Sequence, residues 1–152
     1  MEDEKLSERL RVVKKYLKNY EYIEIDIEGL ELEKNILFEN NTYGITAVNF
    51  DTIKVSKTNK VNKQLENEVI EFIERIKNIV NKIAELKVLK GSLDTAIKKL
   101  PPIQQDVIKR GCIKGVSWGV IGKENLITQK TLRKFKQEAL KAISDSLSEK
   151  GY

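Results

Sequence analysis

Apolar residues recur along most of the chain at steps of three and four, the period of an amphipathic helix. The first stripe comprises Leu6, Leu10, Val13, Leu17 and Tyr20. A longer series comprises Leu65, Val69, Phe72, Ile76, Ile79, Ile83 and Leu86, then, past Lys90, Leu93, Ile97 and Leu100. This heptad seam spans about five heptads and predicts a helix roughly 50 Å long, with its weakest point at Gly91–Ser92. The pattern predicts an all-α fold.

Residues 22–37, YIEIDIEGLELEKNIL, show two competing periods. Ile23, Ile25 and Ile27 alternate with acidic residues, as in a half-exposed strand or a hairpin around Gly29. Ile23, Ile27, Leu30 and Leu37 also fit one helical stripe. Because Glu, Leu and Lys favour helices over strands, we predict a helix.

Residues 39–62 are rich in Asn, Thr and Gly and predict a loop between two long helices. The seam then requires a partner helix, which the first helix can supply as an antiparallel hairpin. A second copy could supply another, giving a homodimer through the N-terminal helices. We therefore expect a coiled-coil-like helical hairpin over residues 1–92 and a second domain over 93–152, with Pro101–Pro102 ending one helix and starting the next.

Residues 117–143 have the pattern of a short helix, a tight turn and a longer basic helix, which is typical of a helix-turn-helix DNA reader. Gly115 is expected to cap the preceding helix and Ser117 to cap the short helix through its hydroxyl. Gly122 permits close approach of the crossing helix. Asn125 is the turn residue expected to adopt a left-handed backbone, and Thr128 is expected to cap the second helix.

The second helix separates an apolar stripe from a polar, basic face. The stripe comprises Leu132, Phe135, Ala139 and Ile143, and the other face carries Gln129, Lys130, Thr131, Arg133, Lys134, Lys136 and Gln137. Cations in the first turns oppose the helix dipole, and a phosphate backbone would reverse that cost. We therefore favour a contact with duplex DNA over the alternative, a solvated helix face.

Net charge is unevenly distributed. Residues 1–50 carry seven Lys/Arg against eleven Asp/Glu, and residues 91–152 carry twelve against six. A basic C-terminal third behind an acidic N-terminal third is expected when one end meets nucleic acid. The first helix also carries basic residues, and one interpretation makes it a second nucleic-acid surface on which Tyr16, Tyr20 and Tyr22 stack with bases. We favour the alternative, in which the basic residues form a solvated face and Tyr20 lies in the core.

Composition narrows the possible chemistry. The chain has no histidine and one cysteine, Cys112, so the commonest general base, an internal disulfide and a Cys-rich zinc site are excluded. No phosphate loop, carboxylate pair or nucleophile motif is evident, so we expect no cofactor and no enzyme activity. No apolar run is long enough for a membrane span, and the charged N-terminus lacks a signal-peptide core, so we expect a cytoplasmic protein.

Residues 93–143 resemble region 4 of the sigma-70 family of RNA polymerase sigma factors. The matching residues are Leu100-Pro101, Val107-Ile108, Gly115-Val116-Ser117, Ile121-Gly122-Lys123-Glu124, Ile127-Thr128, Leu132-Arg133 and Ala139-Leu140, without a gap. The whole layout is similar to small phage regulators of the late-gene activator and autolysin-regulator type. The chain departs from the family pattern at Leu126, where a turn glycine is usual, at Gly119, and at Arg110-Gly111-Cys112, which replaces an apolar-basic-aromatic run.

The resemblance implies that Gln129, Lys130 and Arg133 read bases, while Thr131, Lys134 and Lys136 contact the DNA backbone. The expected function is a sequence-specific double-stranded DNA-binding transcriptional regulator, phage or prophage encoded. Sigma region 4 also docks on RNA polymerase, so a polymerase-binding module is one alternative. The other is a small terminase-type packaging subunit, which would combine a helix-turn-helix with coiled-coil assembly.

Overall fold

The computed structural model of the chain describes residues 2–41 and 60–151. Within these ranges the chain is helical and contains no β-strand, which confirms the all-α prediction. The helices are α1 (Glu2–Lys18), α2 (Tyr20–Glu39), α3 (Lys60–Lys98), α4 (Pro102–Asp106), α5 (Trp118–Asn125) and α6 (Gln129–Glu149), and a π-helical segment (Val107–Ile113) continues α4. The predicted loop falls largely on residues 42–59, which lie outside the described residues.

Contacts divide the chain into two compact units. One comprises Met1–Glu24 with Val88–Tyr152, and the other comprises Ile25–Lys87. The first unit thus groups α1 with the three helices at the C-terminal end of the chain. The domain boundary expected between residues 92 and 93 stays a prediction.

The segment with two competing periods is helical, so the helix interpretation of residues 22–37 is confirmed and the strand alternative is wrong. Ile23 and Ile27 are buried, whereas Ile25 is 58% exposed. Alternate isoleucines therefore lie on different sides of one helix. The strand-like alternation reflects a helix with two apolar stripes, and only one of these stripes is covered in the described chain.

In the Ile25–Lys87 unit, the middle of the seam provides the buried side of α3. Ile76, Ile79 and Ile83 are buried, while Leu65 near the start of the seam is 51% exposed. The rings of Phe38 and Phe72 meet edge to face with centroids 6.0 Å apart. Two exposed ion pairs also join α2 to α3, Glu33 with Arg75 at 3.7 Å and Glu31 with Lys87 at 3.2 Å.

In the other unit, the end of α3 contributes Leu93 and Ile97 to the core, and Leu100 follows just beyond the helix. The α3 helix continues through Gly91–Ser92 and ends at Lys98, and α4 begins at Pro102, as the two prolines predicted. The Gln105 Nε2 group donates to the free carbonyl of Leu100 at 2.8 Å. The same group donates to the carbonyl of Lys98, the last residue of α3, at 3.3 Å, and so satisfies a carbonyl that has no partner within its own helix.

The helix after Pro101–Pro102 widens, which the sequence pattern did not predict. The N–H of Lys114 donates to the carbonyl of Lys109, five residues back, at 3.1 Å. Gly115 then takes φ +69°, and the Val116 N–H donates to the carbonyl of Arg110 at 2.8 Å. Gly115 is therefore the left-handed residue that ends this helix, as predicted.

Candidate nucleic-acid interface

The start of α5 differs from the prediction in one respect. Ser117 is the N-cap residue, and its carbonyl accepts from the N–H groups of Val120 and Ile121 at 3.1 and 3.2 Å. Its hydroxyl makes no capping bond, so the predicted side-chain cap is wrong. The backbone carbonyl alone is enough to begin the helix. The N–H groups of the first turn, at Trp118 and Gly119, therefore lack a side-chain cap.

The turn between α5 and α6 corrects a second prediction. Asn125 is the last residue of α5, and Leu126 adopts the left-handed backbone with φ 57°. The Asn125 amide is already used, because its Nδ2 donates to the carbonyl of Ile121 at 2.9 Å and to Asp106 at 3.2 Å. Leu126 gains no packing in return, since it is 93% exposed.

The Thr128 cap and the close approach at Gly122 were both predicted, although the backbone nearest Gly122 belongs to the turn and not to the crossing helix. The Thr128 hydroxyl caps α6 by accepting from the Thr131 N–H at 3.3 Å. A Cβ added at Gly122 would lie 3.0 Å from the Ile127 carbonyl oxygen, so this position requires a small residue. Below the turn, Val107, Ile121 and Leu132 form a buried cluster that fixes α5 and α6 on the π-helical segment.

A polar network supports the same arrangement from the side. Arg110 pairs with Glu124 on α5 and with Asp106 at 3.5 Å, and Asp106 also accepts from Asn125. The hydrogen bond to Glu124 raises the pKa of Arg110 above its usual value. The network joins the π-helical segment to the end of α5 directly before the turn.

Trp118 connects the core to the polar face of α6. Its six-membered ring lies on Gly111, where an added Cβ would overlap the ring and approach Cζ2 to 3.1 Å. The Lys136 ammonium lies 4.8 Å from the centre of the Trp118 ring. An ammonium over an indole face is attracted by the ring's quadrupole, which makes the face partially negative. Gly111 and Trp118 together therefore set the position of Lys136.

The predicted DNA-contacting residues occupy three different environments. Gln129, Lys130, Arg133 and Lys134 are exposed. Thr131 is half-buried and accepts a hydrogen bond from the Thr128 hydroxyl at 3.0 Å, so it takes part in the cap. Lys136 is half-buried over Trp118. Their proposed roles toward DNA stay predictions.

A groove of about 460 Å³ brings part of this set together. It is lined by Gln129, Leu132, Arg133 and Lys136 of α6, and by Ser117, Trp118 and Gly119 at the start of α5. Arg133 and Lys136 thus line the same groove as the positive end of α5 with its uncapped N–H groups. Such an arrangement favours an anion, because the dipole and the side-chain charges have the same sign.

The cations of α6 have no acidic partner in the described chain. Lys130, Arg133 and Lys134 form no ion pair in residues 2–41 and 60–151, and no acidic residue lies in the first turn of α6. Of these three, only Lys130 lies in the first turn, where a cation costs about 0.3–1 kcal/mol against the dipole. Nothing in the described chain offsets that cost.

The alternative surface on α1 is less organised. Its basic residues Arg9, Arg11, Lys14, Lys15 and Lys18 are exposed. The Tyr20 hydroxyl donates to Asp94, and burial with this bond raises the pKa of Tyr20 to about 12. Tyr20 therefore has a structural partner. Burial also raises the pKa of the Cys112 thiol, so the reactive thiolate is disfavoured.

Within the described ranges, no helix combines the length and the apolar character needed to cross a bilayer. Comparisons of this chain with known protein families, with curated proteins and with solved structures found no match.

Proposed function

We propose that the protein is a sequence-specific, double-stranded DNA-binding regulator of transcription, with α5, the turn and α6 acting as a helix-turn-helix reader of the sigma region 4 type. In this proposal residues 1–92 form the predicted helical hairpin. The observation that carries the proposal is the set of exposed, unpaired cations on the first turns of α6. A duplex supplies the phosphates that would pair with these cations.

The proposal assigns two kinds of contact to the residues of α6. Gln129, Lys130 and Arg133 would lie in the major groove, where Arg can donate two bonds to O6 and N7 of guanine. Lys134, Lys136 and Thr131 would lie toward the sugar-phosphate backbone. The groove beside Trp118 fits one phosphate, held by Lys136 and the uncapped N–H groups of α5.

The proposal is tested by selecting duplexes from a random pool with the purified protein and then comparing two variants. Arg133→Ala is expected to weaken binding to the selected duplex by about 1–3 kcal/mol and to relax the preference at one base pair. Lys134→Ala is expected to weaken selected and random duplexes alike and to reduce the salt dependence by about one phosphate contact.

The matched control is Lys82→Gln on α3, which removes an exposed cation without an ion pair in the described chain. It should leave both affinities unchanged. If Arg133→Ala lowers affinity for selected and random duplexes equally, or if the pool yields no enriched sequence, sequence-specific reading by α6 is contradicted.

A further inference from the structure

The outer stripe of α2 is an apolar surface that the described chain leaves uncovered. In the Ile25–Lys87 unit it consists of Ile25, Gly29, Leu32 and Ile36, spaced by four, three and four residues. Ile25, Leu32 and Ile36 are 58, 61 and 45% exposed. This spacing is that of the a and d positions of a coiled coil, which normally face another helix. An aligned set of exposed apolar side chains differs from the scattered exposed residues of an ordinary surface.

Gly29 gives this stripe a second unusual feature. A Cβ added there would meet nothing within 4 Å, so no contact within the described chain requires glycine. Glycine in an exposed helix costs about 0.8–1 kcal/mol relative to alanine. A glycine at the centre of an apolar stripe does, however, let another helix approach the backbone closely.

The charges beside the stripe identify the kind of partner. In coiled-coil notation the stripe residues are the d and a positions, and the adjoining e and g positions are Asp26, Glu28, Glu33 and Asn35. Three of these four are acidic and none is basic. Glu33 lies 3.7 Å from Arg75, whereas Asp26 and Glu28 form no ion pair in the described part of the chain.

These charges oppose self-association through α2. A parallel pair of α2 helices would place Glu28 of one copy near Glu33 of the other, and an antiparallel pair would also bring acidic residues together. Like charges at these positions disfavour pairing, and opposite charges specify a partner. A membrane surface is also disfavoured, because interfacial helices carry Lys and Arg on their polar face toward anionic lipids.

We propose that the outer face of α2, formed by Ile25, Gly29, Leu32 and Ile36, is a docking site for an amphipathic helix of another protein that carries Lys or Arg beside its apolar stripe. This contact is independent of DNA binding by α6. It gives the protein an acidic, apolar surface for a basic protein partner in addition to a basic surface for nucleic acid.

The test uses the full chain and two synthetic helical peptides about three heptads long, each with Leu at both core positions. One carries Lys and the other Glu at the e and g positions. Fluorescence anisotropy should show binding of the Lys peptide, weakened by salt, and no binding of the Glu peptide. Binding of neither peptide, or equal binding of both, would overturn the proposal.

Variants locate the contact. Leu32→Gln is expected to weaken binding of the Lys peptide by about tenfold or more, and Val88→Gln, at another exposed apolar residue, should leave it unchanged. The double variant Asp26→Lys with Glu28→Lys should reverse the preference, so that the Glu peptide binds more tightly than the Lys peptide. Gly29→Ala should raise thermal stability yet reduce peptide affinity. Higher stability with unchanged affinity would contradict a close approach of the partner helix to the α2 backbone at Gly29.

Sedimentation of the chain alone tests whether a second copy of the chain covers the stripe. A monomer, or an oligomer whose mass does not change with Leu32→Gln, supports a heterologous partner. An oligomer that dissociates on Leu32→Gln would show that a second copy covers the stripe, and the proposal would be wrong.

Discussion

Gly111→Ala tests how the core positions the basic face of α6. An added Cβ would overlap the Trp118 ring, with Cζ2 at 3.1 Å and two further ring carbons closer still. The indole must therefore move. Such overpacking costs about 1–3 kcal/mol, and the loss of glycine's freedom in the unfolded chain returns about 0.4–1 kcal/mol. The net loss lies between about 0 and 2.6 kcal/mol, and the midpoint of about 1.3 kcal/mol corresponds to a fall in Tm of about 3–5 °C.

The assay can follow the affected residue directly, because Trp118 is the only tryptophan. Urea unfolding monitored by tryptophan emission gives the free energy of unfolding. The emission of the folded variant should also change, since the ring moves relative to Lys136. Gly91→Ala is the matched control, because its Cβ would meet nothing within 4 Å; it should stabilise the chain by about 0.4–1 kcal/mol with unchanged emission. A Gly111→Ala protein as stable as the native one, with native emission, would refute the packing argument.

Three further predictions concern the turn and the Tyr20 bond. Leu126→Gly should stabilise the chain by about 1 kcal/mol in urea unfolding, because it relieves a left-handed backbone while losing little burial; lower stability would contradict the assigned strain. Thr128→Ala should cost about 1 kcal/mol by the same measurement, as it removes the α6 cap; an unchanged midpoint would show that the cap contributes nothing. Because the pKa of Tyr20 is raised from 10.0 to about 12 on folding, the protonated hydroxyl stabilises the fold below pH 10, and this contribution is lost as pH rises toward 12. Tyr20→Phe should therefore be less stable than the native chain at neutral pH, and this difference should shrink above pH 10 in pH-dependent thermal unfolding; a constant difference would contradict the assigned pKa.

Helix positions were predictable from sequence where one periodic signal dominated. The seam around Ile76, Ile79 and Ile83 identified α3, and Pro101–Pro102 identified its end, because proline cannot occupy a helix interior. In α2 the helix was predicted from residue propensity, but the cause of the alternation of isoleucine with acidic residues was not predicted. A two-faced helix and a strand both place isoleucine at every second residue, and only burial distinguishes them.

The details of the turn depended on contacts that a linear pattern does not contain. Asn125 is the better residue for a left-handed backbone on intrinsic grounds. Its amide instead bonds to Asp106, which is 19 residues away in sequence, so the strained position falls on Leu126. The widening at Val107–Ile113 was missed for a similar reason, since its apolar spacing still fitted a short helix.

The candidate interface was predictable in composition and less so in geometry. The exposed cations of α6 follow from its amphipathic pattern, because an apolar stripe on one side leaves Lys130, Arg133 and Lys134 on the other. The placement of Lys136 over Trp118 was not predictable, as it depends on the space above Gly111.

The most direct measurement of the central claim is a salt titration of duplex binding for two charge-matched triple variants. In one, Lys130, Arg133 and Lys134 of α6 are changed to Gln; in the other, Lys34, Lys63 and Lys82 of α2 and α3 are changed to Gln. Neutralising the α6 cations should abolish tight binding and flatten the dependence of log affinity on log salt by about 0.9 per lost phosphate contact. The second triple variant should bind as the native chain does. Equal losses for both variants, or no affinity of the native chain for any duplex at low salt, would contradict the placement of α6 against DNA.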